Sequence, residues 1–141
     1  MHNAQPLKPA KPPIALRRAD QEALLAIAYH GLLSDTRSAG ALLCEVSRAD
    51  LLADDDAVLT ATLGSRVCFR DSRSAEVQIA RLVAPDQHGV ADCVSVLSPL
   101  GAALIGLSTG QTISCPDRHG GELNLTVLHV APPSQPHGET P

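Results

Sequence analysis

Ser95-Val96-Leu97-Ser98-Pro99-Leu100-Gly101-Ala102-Ala103-Leu104-Ile105-Gly106-Leu107-Ser108-Thr109-Gly110 is the stretch on which the fold turns. It joins a strand end to a capped short helix and a glycine-closed turn. Ser98 is a good N-cap, and Pro99 suits the first helical position because the N–H it lacks would have no partner inside the helix. Leu100, Leu104 and Leu107 fall at i, i+4 and i+7, one apolar stripe. Gly106 and Gly110 supply positive φ for a helix stop and the turn after it. The pattern predicts one short helix packed against a sheet.

Around this stretch the sequence alternates as strands do. Val67 and Phe69 share one face of residues 65–70, with Arg66 and Arg70 on the other. A turn at residues 71–74 leads into a returning strand in which Val77 and Ile79 alternate with Glu76 and Gln78. A loop at residues 85–89 precedes a third strand at 93–97 carrying Val94 and Val96. Residues 111–115 and 122–130 give a fourth and a fifth, the last with Leu123, Leu125 and Val127 inward. The turn between them, residues 116–121, is rich in Pro, Asp and Gly. The expected class is α+β, with the helix on one face of a mostly antiparallel sheet.

The first half has a different rhythm. Residues 20–29 are rich in helix formers, with Leu24, Ile27 and Ala28 on one face and Gly31 placed to terminate. Ser34, Asp35 and Thr36 offer a polar turn and N-cap candidates for a second helix of about a dozen residues, so the two form an αα-hairpin. Gly40 weakens that second helix by about 1 kcal/mol relative to alanine. Asp54, Asp55 and Asp56 read as a solvated connector. The expected organisation is a disordered tail over 1–15, a helical hairpin over 16–57, a sheet domain over 58–131 and a second proline-rich tail over 132–141.

Composition narrows function. The 141 residues carry a net charge of −4, and the 11 Lys and Arg are scattered, with no cationic run to drive phosphate binding. Neither a signal sequence nor an apolar span is present, which points to the cytoplasm and away from membranes. Cys44, Cys68, Cys93 and Cys115 make no C-x-x-C pair and read as small buried hydrophobes. No histidine spacing suits a metal, so neither metal nor cofactor is expected. With Phe69 and Tyr29 the only aromatics, the core must be aliphatic.

The run from Leu97 to Leu107 closed by Gly110, with Gly64-Ser65-Arg66-Val67 before the first strand, resembles the C-terminal domain of the Gre transcription elongation factors. The likeness spans about residues 60–130 and includes the strand-turn-strand after Gly110. The short helical hairpin is similar to that of the regulator of nucleoside diphosphate kinase family, a Gre relative with a stubby finger. The resemblance implies an FKBP-like C-terminal fold that docks on RNA polymerase near its secondary channel, meets nucleic acid only through the polymerase, and does no catalysis alone. It makes Ser98, Pro99, Leu100 and Gly101 docking candidates, alongside their structural role as cap, helix start and packing site.

It also makes Ser34, Asp35, Thr36 and Arg37 the finger-tip candidates. Gre factors present two carboxylates three residues apart at that tip, to help hold a metal ion for transcript cleavage. Here Asp35 is followed three residues on by Ser38, so the pair is broken, and one carboxylate is a poor ligand set for a hard cation. A helix of about 12 residues also reaches only about 18 Å. The plain reading of Asp35 is a helix N-cap. An FKBP-like fold raises prolyl isomerase activity, but such pockets are lined by several aromatic rings, and Phe69 alone cannot build one. The alternative to polymerase docking is a non-catalytic module for self-association or for binding another protein, such as a nucleotide-metabolism enzyme.

Overall fold

The computed structural model describes residues 11–87, 90–117 and 120–133. In chain order these form β1 (Ala15–Arg17), α1 (Arg18–Gly31), α2 (Thr36–Arg48), β2 (Asp50–Leu52), β3 (Arg66–Asp71), β4 (Gln78–Val83), β5 (Cys93–Ser95), α3 (Pro99–Leu104), β6 (Thr112–Pro116) and β7 (Glu122–Val130). The fold is α+β, as the patterning required. Five strands form one sheet in the order β5-β4-β3-β7-β6, antiparallel except for the parallel pair β4/β5.

Three features of the opening stretch hold the sheet and helices together. Ser98 accepts a hydrogen bond from the Gly101 N–H at 3.0 Å and donates to the Ser95 carbonyl at 2.7 Å, with Pro99 in the first turn of α3. A Cβ on Gly101 would lie 2.0 Å from the Ser95 carbonyl oxygen, so only glycine lets α3 fold back over the strand that precedes it. Gly106 takes φ +81° to end the helix, and its missing side chain leaves room for Ile14, whose Cβ would be 2.8 Å away.

That last contact corrects the expected N-terminal tail. Residues 1–10 lie outside the described residues, but from Lys11 onward the chain is built in. Ile14 and Leu16 are buried, the Ala15 N–H donates to the Gly106 carbonyl, and β1 pairs in parallel with β2. Lys11 and Arg48 both engage the buried Glu45, and Arg48 also donates to the Pro12 carbonyl. The buried charge is compensated on two sides, which its desolvation demands. Arg17 reaches across to the carbonyls of Ala53, Asp56 and Val58, so the acidic connector is tied down by its backbone. Of the C-terminal tail, only Pro132 and Pro133 are described.

One further expectation changes and two are refined. Gly31 ends α1, as its place in the sequence suggested. It is the last residue of the helix and a packing site, where a Cβ would lie 3.0 Å from Leu97 Cδ1 and 3.2 Å from Ala39 Cβ. The side of the 76–79 alternation is set by pairing: Val67 pairs with Ala80 and Phe69 with Gln78, which puts Ala80 and Leu82 on the core face and leaves Val77 and Ile79 53% and 49% exposed. Of the cysteines only Cys115 is buried; Cys44 is exposed on α2, and Cys68 and Cys93 are half-buried on strands. The core is aliphatic, as composition demanded, with Leu24, Leu42, Leu82, Leu104, Leu107 and Val127 fully enclosed.

Candidate functional site

A cleft of ≈ 580 Å³ opens between the start of α3 and the ends of β3, β4, β6 and β7. Phe69 and Leu125 are part of its lining and sit almost fully buried. Ser98, Pro99 and Leu100 form one wall, so three of the four docking candidates share this surface; Gly101 lies buried behind them. Pro99 is exposed, while Leu100 and Ser98 are half-buried.

The opposite rim is polar. Asp71, 8% exposed, accepts the Arg73 N–H at 2.8 Å through Oδ1 and the Gln78 side-chain amide at 2.9 Å through Oδ2. Those two donors hold its carboxyl below the usual range, so it stays ionised and oriented at neutral pH. The Arg73 guanidinium bridges to Asp117 at 3.3 Å, tying the β3/β4 turn to the β6/β7 turn at the cleft mouth. In the sequence Asp71 and Arg73 read only as turn residues and Gln78 only as a polar position of an alternating strand, so nothing in it joins the three. The Asx-type spacing of Asp71 and Arg73 was the signal available.

The cleft is a binding surface without a visible proton relay. The Cys115 thiol is pushed up first by burial and then by the Asp117 charge, which opposes thiolate formation. Neither described histidine lines this cleft, and Phe69 is its only aromatic. No group of His, Cys, Asp or Glu suited to a metal occurs among the described residues.

The finger-tip candidates stand elsewhere, at the link between α1 and α2. Asp35 is the N-cap of α2, and its carboxylate accepts the Ser38 N–H at 3.1 Å. That backbone donor, followed by the Ser38 hydroxyl, keeps Asp35 below the usual carboxylate range. The Thr36 hydroxyl donates to the Leu32 carbonyl, and Arg37 is exposed. Ser34 lines a second groove of ≈ 470 Å³ between α1 and residues 85, 86 and 97. Tip and cleft are therefore separate surfaces.

A small sheet with a glycine-locked helix across its end, fronted by a short helical hairpin, defines the class of a Gre-type factor with a reduced finger. Residues 56–132 match the family described as transcription elongation factor, GreA/GreB, C-terminal, and the chain belongs to that family. It is similar over most of its length to the regulator of nucleoside diphosphate kinase of Escherichia coli (strain K12), at 29% identity over 123 residues covering 86% of this chain and 90% of that protein. Transcription elongation factor GreA of Syntrophobacter fumaroxidans is 39% identical over 71 residues, 50% of this chain and 45% of that one. Among solved structures, a prokaryotic GreA/GreB elongation factor from Nitrosomonas europaea superposes with a TM-score of 0.65 at 29% identity, covering 86% of this chain and 100% of that one. These relatives are named as regulators or elongation factors, and with the family match they support a transcription-factor-like or regulator role for this chain. No helix among the described residues is long and apolar enough to cross a membrane.

Proposed function

We propose that this protein is a cytoplasmic, non-catalytic regulator of transcription elongation that docks on RNA polymerase at the rim of the secondary channel. The wall of Ser98, Pro99 and Leu100 is the docking surface, with Asp71 and the Arg73–Asp117 bridge supplying charge at its edge. Its short hairpin occupies space at the channel and competes with cleavage factors without stimulating cleavage.

The observation that carries this reading is the state of Asp35. The position three residues on, where a cleavage factor needs a second carboxylate, is Ser38, and its backbone N–H donates to the Asp35 carboxylate that caps α2. The acid is spent on starting a helix. Length agrees: the 13 residues of α2 span about 20 Å.

Competition on core polymerase tests the reading. The chain should bind, a Gre cleavage factor should displace it, and a stalled elongation complex should show no added transcript cleavage. Pro99→Ala should weaken binding while leaving the melting temperature almost unchanged. Robust cleavage that disappears in Asp35→Ala would overturn the proposal, as would failure to bind polymerase.

A second reading rests on the name carried by the Escherichia coli relative and on the 89% exposure of Leu33 beside the half-exposed Tyr29 on the hairpin. It makes the chain an interaction module for another protein, such as nucleoside diphosphate kinase, or for a second copy of itself. Binding of purified kinase in the absence of polymerase, lost in Leu33→Asp, would favour it.

A further inference from the structure

Along the sequence the basic residues are scattered, but the fold sorts them. Lys11 and Arg48 neutralise Glu45, Arg17 is occupied by carbonyl groups, and Arg73 bridges to Asp117. The outer face of the five-stranded sheet collects a different set. Arg66 and Arg70 alternate outward from β3 opposite the buried Val67 and Phe69. Arg66 sits directly across from Arg81 of β4, and the exposed His129 of β7 pairs with Cys68 between the two β3 arginines.

Like charges directly opposite on neighbouring strands are unfavourable for folding. The Arg66/Arg81 pairing is therefore not one that favours the sheet by itself. Arg81 holds an interaction of its own, whereas the guanidinium groups of Arg66 and Arg70 make no hydrogen bond or ion pair among the described residues. Glu122 is at the far end of β7, where it accepts from Ser114, and Asp92 lies in the loop beside Arg81. The centre of the face therefore carries positive charge in a chain whose net charge is −4.

We propose that this outer sheet face, centred on Arg66 and Arg70, binds the phosphate backbone of duplex nucleic acid without reading its sequence. Guanidinium groups present paired donors that match phosphate oxygens. Thr112, Thr126 and Asn124 continue the face with the neutral polar groups that commonly contact phosphate and sugar. The two arginines are four residues apart on one strand, about 13 Å, and the five strands span about 19 Å. That is a broad, flat, charged platform. It has no Phe, Tyr or Trp ring, because Phe69 faces inward and Tyr29 is on α1, and the single imidazole of His129 cannot stack successive unpaired bases. One imidazole is not a row of stacking rings, which favours a duplex backbone over a single strand. The inference is independent of the polymerase-docking reading, which concerns the cleft on the other side of β3.

Binding of a fluorescent, arbitrary-sequence DNA duplex to the full chain, measured by anisotropy without polymerase, tests it. With two or three phosphates neutralised, affinity should fall roughly 10- to 40-fold between about 50 and 200 mM salt. Arg66→Gln/Arg70→Gln should weaken low-salt binding at least about tenfold and lower the salt slope by about two. Arg66→Lys/Arg70→Lys should retain most of the binding, and Arg18→Gln, away from the sheet, should change it less than about twofold. Melting curves should show the glutamine variant no less stable than wild type, and Arg70→Gln alone gives a milder form of the same test. Absence of duplex binding by the wild type, or equal binding by the folded glutamine variant, would overturn the proposal. Tighter binding of a single strand or of polyglutamate than of duplex would overturn it too, the latter assigning the face to an acidic protein.

Discussion

Helices α2 and α3 begin with the same local grammar and end up under opposite constraints. Each has a short polar N-cap whose side chain accepts the N–H three residues on: Asp35 from Ser38, Ser98 from Gly101. At α2 that first turn is solvent-exposed, and a Cβ added at nearby Gly40 would meet nothing within 4 Å. At α3 the third helical residue is pressed against the Ser95 carbonyl, so cap, glycine and strand end form one unit. The difference teaches that a capping motif tells where a helix starts but not how much of the fold depends on it.

Adding a methyl group at each glycine is the sharpest way to break the comparison. Gly101→Ala should cost more than about 4 kcal/mol or prevent folding, because backbone rather than a flexible side chain blocks the new Cβ. Denaturant melts, or the soluble yield, check this; a near-normal melt would mean that α3 can lift off its strand. Ser98→Ala should cost about 1 kcal/mol by removing the cap and leaving the Gly101 N–H without its acceptor. Gly40→Ala should move the other way and stabilise by up to about 1 kcal/mol. Equal effects at Gly40 and Gly101 would erase the distinction between the two helix starts.

The smallest effect concerns Asp35 and carries a pH signature. Its pKa is lowered in the folded chain, so its contribution to stability is full above the ordinary carboxylate range and is lost as pH falls through the folded value. Asp35→Ala should therefore lower the melting temperature slightly at neutral pH, and the gap should close in strong acid. Asp20 behaves oppositely. Partial burial raises its pKa against the weaker pull of Thr62 and Arg17, so its unfavourable contribution is relieved as pH falls. A melting gap for Asp35→Ala that is constant with pH would show that the side chain acts by something other than its charge.

Much of the fold was legible in the sequence because its devices are local. Ser98, Pro99 and Gly106 state where α3 starts and stops, and Val67 and Phe69 show one face of β3. The cleft was half legible: Ser98, Pro99 and Leu100 were identified, whereas Asp71, Arg73 and Gln78 were not. Gln78 illustrates why. Its side of the sheet depends on pairing with Phe69 across the β3/β4 turn, and a slip of one residue sends every side chain of a strand to the other face.

The sequence by itself determined the class, the family likeness, the aliphatic core and the broken acidic pair at the hairpin. The motif at α3 and the hairpin link are stated by residues within a few positions of one another, and the core's character by composition alone. The tertiary structure alone decided that Ile14 packs on Gly106, that Lys11 and Arg48 converge on Glu45, and that Arg66, Arg70 and Arg81 share one face. Those relations join residues that are distant in the chain or lie on different strands. Register and packing set them, and neither is encoded in a short window of sequence.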